Sequence, residues 1–447
     1  MPRVAIVGAG LCGNLLAIML ARRGYAVTMY EQGPDPVTAA APAGRSINLA
    51  LAARGIRALQ QAGVYDDIRP LLLPMSGRIV HEDDGSQRLL PYGQHNGEQI
   101  WSVSRSELNQ QLQQIALERW PVEYRFEHTC TGFDCQSGRA QFTTPVGTCE
   151  SEAETLIAAD GAGSAIRRDL ADTGQLNASE DLLDHGYKEI LVPATSTGDF
   201  ALDPGGLHIW PRGGFMLIAL PNLDKSFTAT LFLPHHGTTS FDTVSPETVR
   251  ELFAGQFSDM LPLLPDLKQE FATRPIGQLG TVHSQPWHHE STAQPQRHLL
   301  LIGDAAHAIV PFHGQGMNAG FEDCATLDRL LVASGDDWDS VLPQFESARR
   351  ANTEAIARMA LENYVEMRDA VRDPDFERRA ELSFELERQF PGRFIPRYSM
   401  VMFHPEISYA DAEARGQIQA ELLNEAMTRP DMQQALLRAA DLVRQRL

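Results

Sequence analysis

Six consecutive residues, Gly8-Ala9-Gly10-Leu11-Cys12-Gly13, follow a short apolar run and open an apolar helix pattern. There, Gly8 permits a tight turn, Gly10 lets the backbone approach a pyrophosphate, and Gly13 lets helix and strand pack closely. The helix start, from Leu11, offers free N–H groups and the positive end of a dipole to phosphate. Glu31 stands 18 residues after Gly13, at the end of a second strand pattern, where a carboxylate can hold ribose hydroxyls. An acid in that place favours an unphosphorylated ribose, so FAD or NAD rather than NADP. A bare glycine string is a weak sign, with a plain glycine turn as its alternative. The strand before it and the acid after it turn the reading to dinucleotide binding.

Two further strings, Ile157-Ala158-Ala159-Asp160-Gly161-Ala162-Gly163-Ser164 and Leu301-Ile302-Gly303-Asp304-Ala305-Ala306-His307, each end an apolar strand in a glycine turn carrying Asp. Taken singly, each reads as a strand-to-helix turn with an Asp cap. Pro311-Phe312-His313-Gly314-Gln315-Gly316-Met317-Asn318 follows, a loop turning into a helix whose N–H groups can stabilise negative charge on a ligand. A simple helix start is its bland alternative. His313 either lines that loop's ligand or satisfies backbone groups. Only one complete dinucleotide fingerprint is present, whereas a reductase with separate stable FAD and NADPH domains should show two. Arg78 lies on a strand pattern, where a guanidinium fork can grip a carboxylate; pairing with Asp83 or Asp84 at the surface is the alternative.

These strings need strands beneath them. Val4–Val7 reads as a buried parallel strand, Gly8–Gly24 as turn and helix, and Ala26–Tyr30 as a second strand, which is a βαβ start and hence a doubly wound sheet. Ser46–Gly63 and Ser104–Arg119 read as helices. Arg78–His81, Leu89–Tyr92 and most of His185–Phe271 read as strands, and the chain beyond Leu342 as helical. The expected organisation is a discontinuous nucleotide-binding lobe (1–76, 101–180 and 276–341), a β-rich substrate lobe (77–100 and 181–275) and a helical C-terminal region (342–447).

With 38 Lys and Arg against 58 Asp and Glu, the net charge of −20 disfavours nucleic acid or an anionic membrane as partner. An anionic substrate then needs a local cation, the role open to Arg78. The five cysteines are scattered without a CxxC pair, so neither a disulfide framework nor a metal site is expected. A reducing cytoplasm fits. No leader pattern, tail anchor or apolar run of about 18 residues is seen. Nothing in the sequence sets an oligomeric state.

The three glycine strings, in this order and separation, resemble the class A flavoprotein monooxygenases, with the para-hydroxybenzoate hydroxylase fold. The resemblance implies noncovalent FAD, with Asp304 on its ribityl chain, and Asp160 serving both FAD and an NADPH that binds transiently. It also places Arg45, Arg105, Gly316, Met317 and Asn318 at the cofactor, and His313, Gly314, Gln315 and Gly316 at the reacting edge of the flavin. Longer strings narrow it: Gly44–Leu51, His185–Glu189, Leu207–Pro211, Ala219–Phe227, Glu362–Met367 and Arg393–Met400 look like the kynurenine 3-monooxygenase family over nearly the whole chain. That resemblance implies a carboxylate grip by Arg78 assisted by Tyr92, polar contacts from Asn363 and Tyr398, and an apolar wall of Leu207, Met216, Ile218, Leu220, Phe232, Phe312 and Met367. Without it, the apolar positions read as plain core. The reaction implied is hydroxylation of a small aromatic amino acid, L-kynurenine, ortho to its amino group by NADPH and O₂ through a flavin hydroperoxide. The eukaryotic members' C-terminal membrane anchor is not expected here. A hydroxylase of a substituted kynurenine or another aromatic acid, an FAD-binding reductase, and a non-catalytic FAD-binding partner remain as alternatives.

Overall fold

In the computed structural model, which describes residues 1–36, 48–95, 97–369 and 374–447, Arg3–Val7 and Ala26–Tyr30 pair in parallel on either side of the Leu11–Arg22 helix. The sheet runs His288–Glu290, His298–Leu301, Thr155–Ala158, Arg3–Val7, Ala26–Tyr30, Val122–Arg125. Ile6 stands in register with Ile157 on one side and Met29 on the other. The edge strand His288–Glu290 is antiparallel. The inner strands are mostly apolar, with Val4–Val7, Leu156–Ala158 and Leu299–Leu301 buried, because both of their faces are covered. Residues 129–150 add an antiparallel three-stranded meander.

Two compact units result. One comprises Met1–Leu71, Val103–Leu182 and Gly280–Glu354; the other comprises Leu72–Ser102, Leu183–Leu279 and Ala355–Leu447. The helices after Ala355 thus fall in the same unit as the β-rich segment. That second unit holds most of a seven-stranded mixed sheet, in the order Gly277–Gln285, Asn177–Val192, Phe227–Pro234, Met216–Pro221, Gly206–Pro211, Gly77–His81, Gln87–Pro91. One face of it buries Trp210, Leu217, Ala229 and Leu231 against Phe253, Phe257 and Phe271. Each large side chain so buried contributes about 1.5–3 kcal/mol. A separate core of Leu382, Leu386, Leu422, Ala439 and Leu442 joins the C-terminal helices.

Two expectations of local structure are corrected. Val249–Gln256 and Leu267–Thr273, inside the stretch read as mostly strand, are helices. Val249 and Phe253 are buried one helical turn apart, and Phe257 follows buried at the helix's C-terminal end. Asn48–Leu51, read as the start of a helix, is a strand, and the helix begins at Ala53. Asn318 fixes that switch by donating to Ala50 O and accepting from Ala52 N, so the backbone is claimed before a helix can form. Arg45 lies outside the described residues. Among the described residues no helix is long and apolar enough to cross a membrane.

Candidate functional site

The first unit presents a bare main-chain cradle. Gly8 sits at φ +100°, and a Cβ there would stand 2.5 Å from Ala159 O; one at Gly13 would stand 2.1 Å from Gly8 O. These two glycines are demanded by the fold. A Cβ at Gly10 would meet nothing within 4 Å, so whatever requires glycine there is not protein. The turn is held from behind: Asn14 and Asn109 both donate to Ala9 O, at 2.9 and 3.0 Å. Glu31 accepts from Ala9 N through one oxygen and from Gly33 N through the other, each at 2.8 Å. Its carboxylate is therefore fixed beside the glycine turn. Arg105 is exposed at the start of the Arg105–Arg119 helix, one turn before Asn109 and so on the same side.

Asp160 caps the next helix by accepting from Ala165 N at 2.9 Å, while its other oxygen is buried without a partner. Burial pushes this carboxyl above its ordinary value. An orphaned buried oxygen of that kind suits a hydroxyl donor from a ligand. Asp304 is exposed although Gly303, Ala305, Ala306 and His307 around it are buried. The loop beyond holds Phe312 and His313 buried, Gly314 at φ +65°, and Gln315 with no exposure. Gly316 and Met317 open the 19-residue Gly316–Ser334 helix without a side-chain cap, leaving its first N–H groups to other acceptors. Asn318 is placed at the cofactor by the resemblance, yet its carboxamide is engaged by Ala50, Ala52 and Gly314. The group present fits a dinucleotide: open glycine, phosphate-facing helix starts, and carboxylates for ribose and ribityl hydroxyls.

The second unit gathers Arg78, Tyr92, Asn363 and Tyr398 from four separate segments. Arg78 is 8% exposed. Its Nη1 is 3.3 Å from Glu366 Oε1 and its Nη2 3.3 Å from Asn363 Oδ1. Its guanidinium lies 5.0 Å from the Tyr398 ring centroid, and Tyr398 stacks on Tyr92 at 5.5 Å. Burial works against the charge of Arg78, but Tyr398 and Glu366 outweigh it and hold the group above its ordinary value. Burial likewise pushes both tyrosine hydroxyls up, so they stay protonated donors. The surface pairing is not found. Asp83 faces Arg212 at 3.3 Å, and Asp84 caps Ser86.

The sheet register brings the apolar positions beside this cation. Leu207 lies opposite Arg78, Met216 opposite Phe232, and Ile218 opposite Ile209, with Leu220 two residues on. Alternation then puts Leu207, Met216, Ile218, Leu220 and Phe232 on the face of Arg78, away from the Trp210 core. Met367 is buried and takes a contact from Asn363 Nδ2 at 3.3 Å. Phe312 belongs to the other unit.

Sequence reasoning passed over three contributors. Glu366, the acid facing Arg78, sits one helical turn after Asn363, a spacing that was there to be used. Arg167 donates to Ala305 O and also meets Ala162 O, joining the second and third glycine strings. No local pattern announces it. Asp323 is the third. Among the described residues one group, His95, Glu98 and Glu387, brings ligand atoms within 4.8 Å. There Glu387 is bonded by Gln94 and Glu98 by the main chain of His95, so both acids are already engaged.

Residues 1–360 match the family described as FAD binding domain. Among solved structures, 2-methyl-3-hydroxypyridine-5-carboxylic acid oxygenase aligns with TM-score 0.66 at 20% identity, covering 83% of this chain and 93% of that one. A p-nitrophenol 4-monooxygenase from Pseudomonas putida aligns at 0.65 and 18%, covering 87% and 94%. Those likenesses show the fold, and the family match shows that it is one that binds FAD. Kynurenine 3-monooxygenase of Stenotrophomonas maltophilia is 45% identical over 431 residues, 96% of this chain and 93% of its own. That of Myxococcus xanthus is 43% identical over 451 residues, 99% and 95%. The chain belongs to the kynurenine 3-monooxygenase family.

Proposed function

We propose that this enzyme hydroxylates L-kynurenine on the ring carbon ortho to the amino group, with NADPH supplying two electrons. One oxygen atom of O₂ enters the ring and the other leaves as water. The observation that carries this reading is Arg78: a buried guanidinium 3.3 Å from both Asn363 and Glu366, on the sheet face that also carries Leu207, Met216, Ile218, Leu220 and Phe232. A fork so placed can exchange two weak bonds for a two-pronged hold on an α-carboxylate. Tyr92 and Tyr398, kept protonated, donate beside it. The ring then lies along Leu207, Met216, Ile218, Leu220 and Phe232, with Met367 as further apolar wall.

The unit carrying the glycine strings is proposed as the FAD lobe, and the unit carrying Arg78 as the substrate lobe. Gly8, Gly10, Leu11 and Gly13 take the pyrophosphate, Glu31 the ribose, Asp304 the ribityl chain, and Asp160 both FAD and NADPH. Bound FAD supplies the activation of O₂. The Gly314–Met317 helix start, with His313 and Gln315, stabilises negative charge at its edge. The substrate's own amino nitrogen feeds electron density to the reacting carbon, so no strong base is required.

The test is NADPH oxidation with L-kynurenine against phenolic acids and ring-substituted kynurenines, the product identified by mass. L-Kynurenine should stimulate oxidation most and yield a product one oxygen atom heavier. Oxidation indifferent to any aromatic compound would point to a reductase and overturn the proposal.

A further inference from the structure

Behind the glycine strings, the cofactor-side unit contains a buried chain of charges that none of the roles above uses. Arg54 Nη1 meets Glu322 Oε1 at 2.9 Å, and Glu322 Oε2 accepts from Arg349 Nη1 at 2.6 Å. Arg349 Nε donates to Asp323 Oδ1 at 2.6 Å, and Asp323 Oδ2 faces His307 Nε2 at 2.6 Å. Asp323 has no exposure and His307 only 7%. A carboxylate this deep persists only where donors surround it, and Asp323 has a third donor in Gly303 N at 3.1 Å. Burial pushes its carboxyl up, but His307 and Arg349 outweigh that and hold it below the ordinary range, so it is the anion and His307 Nε2–H the donor.

The arrangement of these donors is specific. Gly303 N and His307 Nε2, both on Oδ2, flank the two ends of the four-residue turn Asp304–His307. The carbonyls between are tied as well: Ala305 O accepts from Arg167 at 2.9 Å and Ala306 O from Ser284 at 2.7 Å. Gly303 itself, at φ +59° and ψ −140°, is in a conformation that glycine enters at no steric cost, so its own backbone does not set the turn. Asp304 is the one exposed side chain of the turn. We infer that Asp323 and His307 are positioning residues for FAD, clamping both ends of this turn so that the Asp304 carboxylate is presented to the ribityl hydroxyls. The inference rests on the reading of Asp304 as an FAD contact.

A double-mutant cycle on FAD affinity tests it, with apoprotein titrated by flavin fluorescence and the urea midpoint followed in parallel. Asp304→Ala and His307→Leu should each weaken FAD binding about tenfold, the scale of one charged hydrogen bond. His307→Gln, which keeps a donor near Asp323, should stay within about threefold of wild type. In the Asp304→Ala background, His307→Leu should cost less than about twofold, whatever it does to the urea midpoint. Equal losses in both backgrounds would mean a general structural role and overturn the inference while leaving Asp304 at the cofactor. No loss from Asp304→Ala alone would overturn both. If His307→Leu does not fold, Asp323→Asn, which keeps the shape and removes the charge, takes its place in the same cycle.

Discussion

The two units solve the problem of holding a small molecule with different materials. In the unit of the glycine strings the proposed binding surface is largely main chain: glycines whose missing side chains leave room, and helix starts without side-chain caps. In the Arg78 unit the sheet backbone is consumed by its own ladder, and the proposed grip comes from the side chains of residues 78, 92, 363 and 398. A main-chain site tolerates little variation in residue type but is local. A side-chain site is open to retuning but depends on four distant segments arriving together.

That contrast can be broken in four places. The largest effect is expected at the glycines. Gly13→Val should fail to give folded protein, since its Cβ has no room, whereas Gly10→Val should fold by circular dichroism yet bind no FAD and be colourless. Wild-type FAD affinity in Gly10→Val would show that backbone approach is not what binds the cofactor.

The next concerns acid. His208 is buried between His81 at 2.8 Å and the carbonyl of Asp203 at 2.8 Å, and burial pushes it down to about 4. Its folded pKa is thus below its unfolded one, so the unfolded chain binds more protons and stability falls as pH drops from about 6.5 to about 4. The loss from this group should reach up to about 3 kcal/mol. Urea midpoints recorded from pH 7 to 4 should show it, and His208→Gln should flatten the profile. An unchanged slope in that variant would remove His208 from the account.

Arg78→Met should weaken L-kynurenine binding at least about tenfold, roughly 1.4 kcal/mol, with FAD affinity unaltered. Arg78→Lys should recover part of it, and an analogue without the carboxylate should bind wild type poorly and lose little more in the variant. Equal losses for both ligands would move the carboxylate grip elsewhere. The smallest effect belongs to Tyr398→Phe, which keeps the stack on Tyr92 and removes one neutral donor. A two- to tenfold rise in Kd is expected, on the order of 1 kcal/mol; no rise would make Tyr398 a packing residue.

The same contrast explains what could be read from the sequence. Gly8, Gly10 and Gly13 lie within six residues and their geometry is local, so spacing alone discloses their use. Arg78 was visible as a cation on a strand, but only the register opposite Leu207 shows which face it occupies. Arg167 reaches Ala305 from 138 residues away, beyond any sequence window, and Asp323 reaches His307 from 16 residues on, across a loop whose path no local spacing discloses. The helices at Val249–Gln256 and Leu267–Thr273 lie in a stretch read as mostly strand, and the four-residue spacing of Val249, Phe253 and Phe257 fits one face of either a helix or a strand, so it could not decide between them.

The alternation of the seven-stranded sheet has a consequence for how such an enzyme changes over time. Along Gly206–Pro211, Met216–Pro221 and Phe227–Pro234, Leu207, Ile218 and Leu220 share one face, while His208, Trp210, Leu217 and Leu231 belong to the other. With the first face holding the ligand as proposed, neighbouring codons answer to different selections, one for the ligand accepted and the next for whether the protein survives. Substitutions confined to the first set can shift preference among aromatic substrates without eroding the foundation beneath, and a library built on those positions alone would sample new specificities on a scaffold that stays folded.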